Sequence, residues 1–391
     1  MKQAVILAAG EGQRLRPFTV TRPKAMISIA DKPILQHIVE SLARCGIRDI
    51  VIVVGYRKTQ VLDFMGSGEK FGVKISYVSQ DKQLGTAHAL CRVKDKVQDE
   101  FLVLPGDNLI EAATIADFVE VRPEAVLVKR VKDPQRYGVI DAVGDEIRSI
   151  TEKPADAGSN LINTGIYAFS KDIFKYAEDV LDIPDAINHM IASGRAIKAV
   201  ETKGAWLDVI YPWDVISLNH AILQNINTSV GGTIEDGVTL NGKVIIGADT
   251  VVRAGTCIYG PAVIGDGCEI GPNVCIMPST SIGDNVVISS FTQVKNSVIG
   301  DDVTLGPGCF VSDSVIDKGT NIKGRFTALG GPSEVRIGSE TPEINVGVIM
   351  GEDCAVEANV TAQPGAVIGN GCQIQISKTI SGRLPDGSLV Y

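Results

Sequence analysis

Residues 7–24 read LAAGEGQRLRPFTVTRPK and continue the apolar run Ala4–Leu7, whose pattern predicts a buried strand. The turn after this strand consists of small residues, namely Ala8, Ala9, Gly10 and Gly12. Glycines let a backbone turn tightly, and the small side chains leave room for a flat group against the chain. Bare amides in such a turn form a concavity that binds anions. Three cations follow within the same stretch: Arg14, Arg16 and Lys24. The stretch therefore predicts a strand and turn that bind a triphosphate.

A glycine turn after a first strand is common, so the pair Gly10 and Gly12 alone is a weak signal. The complete string is more specific. Arg14 stands where a dinucleotide-binding fingerprint has its third glycine, and no Gly-Lys-Ser/Thr ending of a P-loop is present. The string resembles the G-x-G-x-R-L-x-P-x-T signature of the sugar-1-phosphate nucleotidylyltransferases, which is followed by P-K, here Pro23 and Lys24.

This resemblance implies roles for residues of the signature. Arg14 and Lys24 would be the catalytic cations, with Arg14 on the departing phosphates and Lys24 on the α-phosphate. The nucleotide would lie against Leu7, Ala8, Ala9, Gly10 and Gly12.

A second segment, Gln80 to Ala89, is similar to the family's base-binding motif Q-x-x-x-x-G-T-A. The resemblance implies that Gln80, Gly85 and Thr86 contact the nucleotide base. The residues alone fit a helix N-terminus with Thr86 near the cap equally well. We expect His88 to be a packed residue of that helix rather than a catalytic base.

Two carboxylates are candidates for a metal site. Asp107 ends the apolar run before it in a Gly-Asp pair, and Asp208 ends the triplet Trp206-Leu207-Asp208. An aspartate at a strand end also commonly caps a turn. Both segments resemble the metal-binding segments of the family, in which Mg²⁺ is held by one or two carboxylates and substrate phosphates. A carboxylate at both positions is closer to the thymidylyltransferase branch, since bacterial acetylglucosamine uridylyltransferases carry Asn at the second.

Three further segments resemble the family's sugar-phosphate site. They are the Tyr-Gly pair that ends at Gly138, the Glu-Lys-Pro motif of Glu152 and Lys153, and the Asn-Thr-Gly motif of Asn163 and Thr164. Each one alone also fits an ordinary turn between strands. Their order and spacing relative to the signature indicate a hexose-1-phosphate pocket, with Lys153 on the phosphate and Glu152 on sugar hydroxyls.

Residues 1–226 alternate strand-like runs with amphipathic segments, which predicts an α/β, Rossmann-like nucleotidyltransferase domain with a mostly parallel sheet. Residues 33–45, 86–93 and 114–121 are predicted helices. Ligands of such sheets bind at the carboxyl ends of the strands, where the candidate residues fall.

Residues 232–377 repeat an aliphatic residue every six positions, beginning Ile234, Leu240, Ile246. This hexapeptide repeat predicts a left-handed parallel β-helix, with an excursion at 324–343 and a tail at 378–391. Small residues stand two positions before the aliphatic one. Four cysteines occupy that place and are predicted to be core residues rather than ligands: Cys268, Cys309, Cys354 and Cys372. The open flank of the prism favours a homotrimer.

The net charge of −9 argues against a nucleic-acid partner, and no apolar run reaches the roughly 20 residues of a membrane span. The start shows no signal peptide, and the eight cysteines form no CxxC pair, so a cytoplasmic enzyme without membrane partner is expected.

The combined resemblance implies that a nucleoside triphosphate, UTP or dTTP, and a sugar-1-phosphate give a nucleotide sugar and pyrophosphate, with Mg²⁺. The sugar phosphate is glucose-1-phosphate or N-acetylglucosamine-1-phosphate. One alternative is a bifunctional enzyme that also acetylates a hexosamine phosphate from acetyl-CoA. That activity uses an H-x-x-Y motif in the family, whereas this chain has Pro307 and Phe310 at those places. A second alternative is a non-catalytic subunit that senses sugar nucleotides.

Overall fold

The computed structural model describes residues 1–335 and 342–391. The chain divides into two compact units, and the division does not follow the sequence continuously. The first unit comprises Met1–Glu11, Thr21–Met26 and Ile34–Asp208. The second comprises Gly12–Val20, Ile27–Pro33 and Val209–Tyr391. The signature stretch is therefore shared between them. The division into a nucleotidylyltransferase domain of residues 1–226 and a β-helix domain of residues 232–377 stays a prediction.

The first 226 residues contain short strands and helices in alternation. The strands are β1 Gln3–Ala8, β2 Ser28–Ile29, β3 Lys32–Pro33, β4 Asp49–Val54, β5 Lys74–Ser79, β6 Glu100–Pro105, β7 Asn108–Ile110, β8 Ala125–Arg130, β9 Gly138–Val143, β10 Glu146–Glu152, β11 Leu161–Ser170, β12 Lys198–Glu201 and β13 Trp206–Asp208. The α-helices are α1 Ile34–Arg44, α2 Lys58–Met65, α3 Thr86–Cys91, α4 Ala112–Val119, α5 Phe174–Ala177, α6 Ile183–Ala192 and α7 Asp214–Leu223. The 3₁₀ turns are Gln13–Leu15, Phe18–Val20, Lys24–Met26, Glu69–Phe71, Pro134–Arg136 and Lys171–Ile173.

The main sheet of the first unit is mixed rather than mostly parallel. Its strand order within the described residues is β5-β4-β1-β6-β11-β8-β12-β10-β9. β1 is parallel to β4 and β6, whereas β11 is antiparallel to β6 and β8, and β9 and β10 form a hairpin. The prediction of a mostly parallel sheet holds for the β5-β4-β1-β6 half, where helices connect the strands. In the other half β11 is antiparallel to both neighbours, only β9 and β10 among the described strands of this half are joined as a hairpin, and β12 is parallel to β8.

The second unit contains three long sheets of short parallel strands within the described residues, as expected of a left-handed parallel β-helix. The first sheet contains Ser229–Val230, Val244–Ile246, Ala262–Ile264, Thr280–Ile282, Val298–Ile299, Val315–Ile316, Val348–Met350, Ala366–Ile368 and Arg383–Leu384. The second contains Thr233–Ile234, Val251–Val252, Glu269–Ile270, Val287–Ile288, Thr304–Leu305, Asn321–Ile322, Ala355–Val356, Gln373–Ile374 and Leu389–Val390. The third contains Thr239–Asn241, Cys257–Tyr259, Cys275–Ile276, Gln293–Lys295, Phe310–Ser312, Thr327–Ala328, Thr361–Ala362 and Thr379–Ile380.

The predicted aliphatic residues form the buried core of this prism, for example Ile258, Ile264 and Ile270. The four corner cysteines are buried there too, as predicted. The small corner side chains also make hydrogen bonds between coils. Thr250 Oγ1 donates to the Gly265 carbonyl at 2.7 Å. A cysteine can replace a threonine at this corner because its thiol donates to the same kind of carbonyl.

The interruption of the repeat contains an antiparallel hairpin of Gly331–Glu334 and Glu343–Val346. The predicted excursion at 324–343 begins too early, since Thr327–Ala328 still pairs within the prism. Residues 336–341 of that excursion lie outside the described residues. The predicted tail at 378–391 instead forms a last coil. The spacing between successive aliphatic core residues falls from six to four between Ile380 and Leu384. A search for a six-residue period therefore misses this last coil.

Among the described residues, no helix has the length and apolar character needed to cross a membrane.

Candidate functional site

The turn after β1 is held between the turns that follow its two neighbouring strands. The Gly106 amide donates to the Leu7 carbonyl at 2.9 Å, and the Tyr56 amide donates to the Ala9 carbonyl at 3.2 Å. A Cβ atom at Gly106 would lie 2.7 Å from the Ala8 Cβ. Tight packing at the carboxyl ends of the strands therefore explains the small residues of the turn, whereas Gly10 is exposed with open space where a side chain would be.

Asp107 and Asp208 come together although they are far apart in the sequence. Asp107 directly precedes β7, and the antiparallel pairing of β7 with β13 places Asp208 opposite Asn108. Lys24 lies at the same place. Its Nζ is 2.7 Å from Asp107 Oδ2 and 3.7 Å from Asp208 Oδ1.

This group of three has a distinct electrostatic setting. The Lys24 side chain is 15 % exposed, compared with 39 % for Asp107 and 20 % for Asp208. Burial on its own lowers the pKa of Lys24, but the charges and hydrogen bonds of the two aspartates raise it further, so the net direction is upward. The result is a permanently charged ammonium that holds two carboxylates close together. Two neighbouring carboxylates are a donor set that suits a divalent ion such as Mg²⁺, which usually takes one or two carboxylates from a protein.

Gln80, Gly85 and Thr86 lie together, but their hydrogen bonds are directed into the protein. The Gln80 amide nitrogen donates to the Gly85 carbonyl at 3.1 Å and contacts His88 Nδ1 at 2.8 Å. Both N–H groups of the Gln80 side chain are therefore engaged within this turn, and its predicted contact with the base stays a prediction. His88 is half-buried on α3 and orients Gln80.

Thr86 joins two helix N-termini. Its amide and its hydroxyl both contact Asp182 Oδ1, at 3.0 and 3.1 Å, and the Ile183 amide donates to its hydroxyl at 2.9 Å. These contacts place Thr86 at the start of α3, and its predicted contact with the base stays a prediction. Asp182 was not identified from the sequence, although an Asp followed by Ile-Pro is a recognisable helix-start signal.

The sugar-phosphate candidates lie on β9, β10 and β11. Gly138 pairs with Glu152, and a Cβ at Gly138 would lie 2.7 Å from Glu152 Oε1. Desolvation of the carboxylate raises the pKa of Glu152, Lys153 opposes the rise, and Asp182 adds to it. Lys153 has a left-handed backbone, with φ of 42°, and its amide donates to the Tyr137 carbonyl at 3.0 Å. A left-handed non-glycine residue beside a candidate site is a typical functional feature.

Asn163 and Thr164 lie at an irregular register in β11. Asn163 Nδ2 donates to the Tyr167 hydroxyl at 2.8 Å, and its Oδ1 accepts from the Gly165 amide at 2.9 Å. The Thr164 hydroxyl is buried and donates to the Leu127 carbonyl at 2.6 Å. The Thr164 side chain thus stabilises the irregular strand, and the predicted contacts of Asn163 and Thr164 with the sugar stay predictions.

Gly12 and Arg14 belong to the second unit. Gly12 has a φ of 73°, a left-handed conformation that glycine adopts without strain. Its carbonyl accepts from the Leu15 amide at 2.9 Å and from the Thr19 hydroxyl at 2.8 Å. These bonds form the 3₁₀ turn that carries the exposed side chain of Arg14.

Comparison with known protein families gives one match in the first part of the chain and two matches in the repeat region. Residues 3–225 match the family described as Nucleotidyl transferase. Residues 258–328 match the GMPPB C-terminal domain, and residues 333–362 match the hexapeptide repeat of succinyl-transferase.

Similar proteins extend over the whole length. The chain is 37 % identical to a protein of Methanocaldococcus jannaschii named Bifunctional protein GlmU, over 99 % of this chain and 97 % of the relative. It is 35 % identical to a Bifunctional sugar-1-phosphate nucleotidylyltransferase/acetyltransferase of Sulfurisphaera tokodaii, over 94 % of each chain. A crystal structure of a putative glucose-1-phosphate thymidylyltransferase from Bacillus anthracis aligns with a TM-score of 0.53 and 32 % identity, and covers 58 % of this chain and 97 % of that one.

Proposed function

The chain belongs to the nucleotidyl transferase family as a sugar-1-phosphate nucleotidylyltransferase, and on that premise we propose its substrates and the residues that act on them. The substrates are UTP or dTTP and a hexose-1-phosphate, either glucose-1-phosphate or N-acetylglucosamine-1-phosphate. A phosphate oxygen of the sugar forms a bond to the α-phosphorus of the nucleotide, and the bond to pyrophosphate breaks. No protein nucleophile is required, so catalysis consists of positioning and charge neutralisation.

The observation that supports this assignment is the convergence of Lys24, Asp107 and Asp208. Enzymes of this family use a divalent metal, and the two carboxylates fit Mg²⁺, which when bound would neutralise charge on the α-phosphate. Lys24 adds a fixed positive charge beside the same phosphate. Arg14 holds the β- and γ-phosphates that leave.

The remaining residues bind the two substrates. The turn Leu7–Gly12 receives the nucleotide phosphates, and Gln80 presents its carbonyl oxygen to the base next to Gly85. Glu152 accepts hydrogen bonds from sugar hydroxyls beside the Gly138 backbone. Lys153 binds the sugar phosphate, and Asn163 contacts the sugar ring.

The test is a panel of UTP and dTTP against the two sugar phosphates, with release of pyrophosphate as the measurement. Arg14→Ala and Asp107→Ala should each lower kcat by roughly 10²-fold or more, the scale of losing one charge-stabilising group. Near-normal rates in either variant would contradict the assigned roles. Binding of a sugar nucleotide without turnover of any pair would favour the sensing subunit instead.

An additional acetyltransferase activity is the second candidate, because relatives that span this chain are named bifunctional. Pro307 and Phe310 offer no group that could remove a proton from an amine. The histidine nearest in sequence is His220, whose Nδ1 lies 2.7 Å from Ser279 Oγ. We expect no release of CoA from acetyl-CoA with glucosamine-1-phosphate. If CoA is released, His220→Ala decides whether this imidazole is the base.

The β-helix indicates oligomerisation, and we propose a homotrimer. Phe291 is 73 % exposed at a corner of the prism, where its backbone has a φ of 63°. An exposed aromatic side chain in that conformation gains no stability in a monomer but would gain it at a subunit interface. Light scattering should give three chains for the native protein and fewer for Phe291→Asp. We also propose a cytoplasmic location, since all eight cysteines are free thiols.

A further inference from the structure

Three sulfur-containing side chains lie together on the outer face of the third sheet of the β-helix. Cys257 and Cys275 begin neighbouring parallel strands and stand directly beside each other in the register. The residues that follow them, Ile258 and Ile276, belong to the buried core, so the two thiols point outward, where both are half-buried. The Cys275 thiol donates to Met277 Sδ at 3.5 Å. Two thiols and one thioether are therefore neighbours.

The spacing of these side chains suits a shared metal ion. A metal–thiolate bond is about 2.3 Å long, so two sulfurs bound to one ion are separated by at most about 4.6 Å. The 3.5 Å between Cys275 Sγ and Met277 Sδ lies within that limit. Neighbouring strands of a sheet are about 4.8 Å apart, which brings Cys257 to nearly the same distance. Burial raises the pKa of the Cys275 thiol, and the charge of the nearby Cys257 adds to the rise.

The backbone holds the three residues in place. The amides of Cys257, Cys275 and Met277 donate to carbonyls of the next coil at 2.9, 3.0 and 2.8 Å. Ligands carried on rigid strands lose little freedom when they bind a metal, which favours binding. The corner cysteines differ from this pair. The Cys268 thiol, for example, is buried and donates to the Gly283 carbonyl at 3.1 Å, so it serves the core.

The donor set indicates which metal fits. Soft thiolate and thioether ligands select Cu(I), Zn²⁺ or iron–sulfur clusters. A structural zinc site almost always has four ligands, and an iron–sulfur cluster is normally held by four side chains. Within the part of the chain that the structure describes, no group of three or more histidine, cysteine or acidic side chains could hold a metal ion. The two thiols and the thioether are therefore a set of three sulfurs, which suits Cu(I) best.

We propose that Cys257, Cys275 and Met277 bind one Cu(I) ion, which links two neighbouring coils of the β-helix. Both thiols release their protons to solvent on binding, and the metal takes the place of the proton that Cys275 shares with Met277. The strand register that assembles the three sulfurs exists only in the folded chain, so the bound ion stabilises the folded state. The site plays no part in nucleotidyl transfer and goes beyond the proposed function.

The binding test is an anaerobic titration with Cu(I) in competition with the chromogenic chelator bicinchoninate. Cys257→Ser and Cys275→Ser each remove one thiolate with little change in shape, and Met277→Leu removes the thioether. Cys91→Ser is the matched control, since Cys91 is also a half-buried free thiol but belongs to the first unit. We expect the native protein and the control to take up one Cu(I) per chain, both other serine variants to bind it at least about 100-fold more weakly, and Met277→Leu to lose at least about tenfold. Equal affinity in all five proteins would overturn the proposal.

The ligand test is X-ray absorption of the copper-loaded proteins. We expect three sulfur neighbours of copper in the native protein and two in Met277→Leu, and a copper-dependent rise in Tm in the native protein and Cys91→Ser but not in Cys275→Ser. If a serine variant fails to fold, the sulfur count of Met277→Leu still decides, because an unchanged count would overturn the site. Tighter binding of Zn²⁺ than of Cu(I) by the native protein would overturn the choice of metal. A protein that binds copper in this way but turns over no substrate pair would contradict the proposed function alone.

Discussion

At the scale of single residues, the positive charge of the Lys24 ammonium offsets the repulsion between the carboxylates of Asp107 and Asp208. Asp107 and Asp208 both lie within 4 Å of its Nζ, and the side chain is largely buried. Like charges at such a distance repel unless a counter-charge is present. The raised pKa of Lys24 means that this counter-charge persists across the neutral range. In the proposed function the same ammonium would contact a substrate phosphate without a change in its protonation.

Lys24→Met removes this charge and retains most of the side-chain volume. We expect kcat for nucleotide-sugar formation to fall by about 10²- to 10³-fold, as on loss of one preorganised charge in an active site. Steady-state kinetics measure the effect. Lys58→Met serves as the control because the Lys58 side chain is 45 % exposed and its pair with Asp81 is a surface pair. A loss of stability with unchanged kcat would assign Lys24 a structural role only.

The sequence predicts some of these residues better than others, for a physical reason. Asp107 and Asp208 stand at strand ends, and the pairing of two neighbouring strands brings such positions together. The hydrogen bonds of Thr86 depend on Asp182, which belongs to a distant segment of the chain. Whether a polar side chain faces a ligand or another segment is decided by that distant partner, and no local pattern encodes it.

At the scale of elements, the β2–β3 hairpin is tied to the β-helix through α7. The Ala30 amide of the hairpin donates to Asn219 Oδ1 at 3.0 Å, and Asn219 Nδ2 donates to the Ser279 carbonyl at 3.0 Å. Asn219 is fully buried. Both partners therefore depend on this one side chain for their hydrogen bonds.

Asn219→Leu keeps the approximate shape of the side chain and leaves two buried backbone groups without their bond. The expected loss is about 2–4 kcal/mol in the free energy of unfolding, from roughly 1–3 kcal/mol for each unsatisfied group. Denaturant titration measures it. Asn241→Leu, at an exposed position of the first coil, should change stability little. A neutral Asn219→Leu variant would show that the hairpin is held by other contacts.

Asp31, at the tip of the same hairpin, makes the stability of the second unit dependent on pH. The pKa of Asp31 is raised to about 7, mainly by burial. The negative charges of Asp284, Asp301 and Asp266 raise it further, and the positive charge of Lys32 lowers it. The folded state thus binds a proton more tightly than the unfolded state. The contribution of Asp31 to stability is therefore fully present below about pH 4 and is lost as the pH rises to about 7.

Asp31→Asn should remove this dependence. We expect the variant to be more stable than the native protein at pH 8 by about 1–2 kcal/mol, a value discounted for partial exposure of the group, and to be no more stable at pH 4. Thermal unfolding at the two pH values measures the difference. Asp249→Asn, an exposed aspartate with the same left-handed backbone, is the control. Equal gains at both pH values would exclude titration of Asp31 as the cause.

At the scale of the whole molecule, the six-residue period predicted the β-helix and most of its core in advance. The six-residue repeat recurs in most coils of the β-helix, so a few coils with irregular spacing do not hide the pattern. Segments Gly12–Val20 and Ile27–Pro33 could not be assigned in the same way, because their contacts place them with residues that follow Val209. Local patterns identify elements, whereas the unit to which an element belongs is set by contacts between residues distant in sequence.

Deletion of residues 379–391 tests the last coil, which a sequence reading takes for a tail. The deletion removes the partners of Ala362, Ile368 and Ile374. We expect the free energy of unfolding to fall by about 2 kcal/mol or more, the scale of exposing one or two buried aliphatic side chains. Thermal unfolding measures the loss, as does hydrogen exchange of the Val367 and Gln373 amides, which donate to the Gly382 and Ser388 carbonyls of the deleted coil. An unchanged transition would show that the last coil contributes no stability.

The spacing between coils has a mechanical consequence. Hydrogen bonds connect residues 18 apart in most of the prism, for example Ala248 with Asp266, but 34 apart where Ser314 meets Val348 across the hairpin. A pulling force applied at the C-terminus would detach one coil at a time, and each would release roughly 60 Å of extended chain. The coil that contains the hairpin would release about twice that length. A force–extension trace would therefore show a ladder of even steps with one long step, which locates the hairpin by length alone.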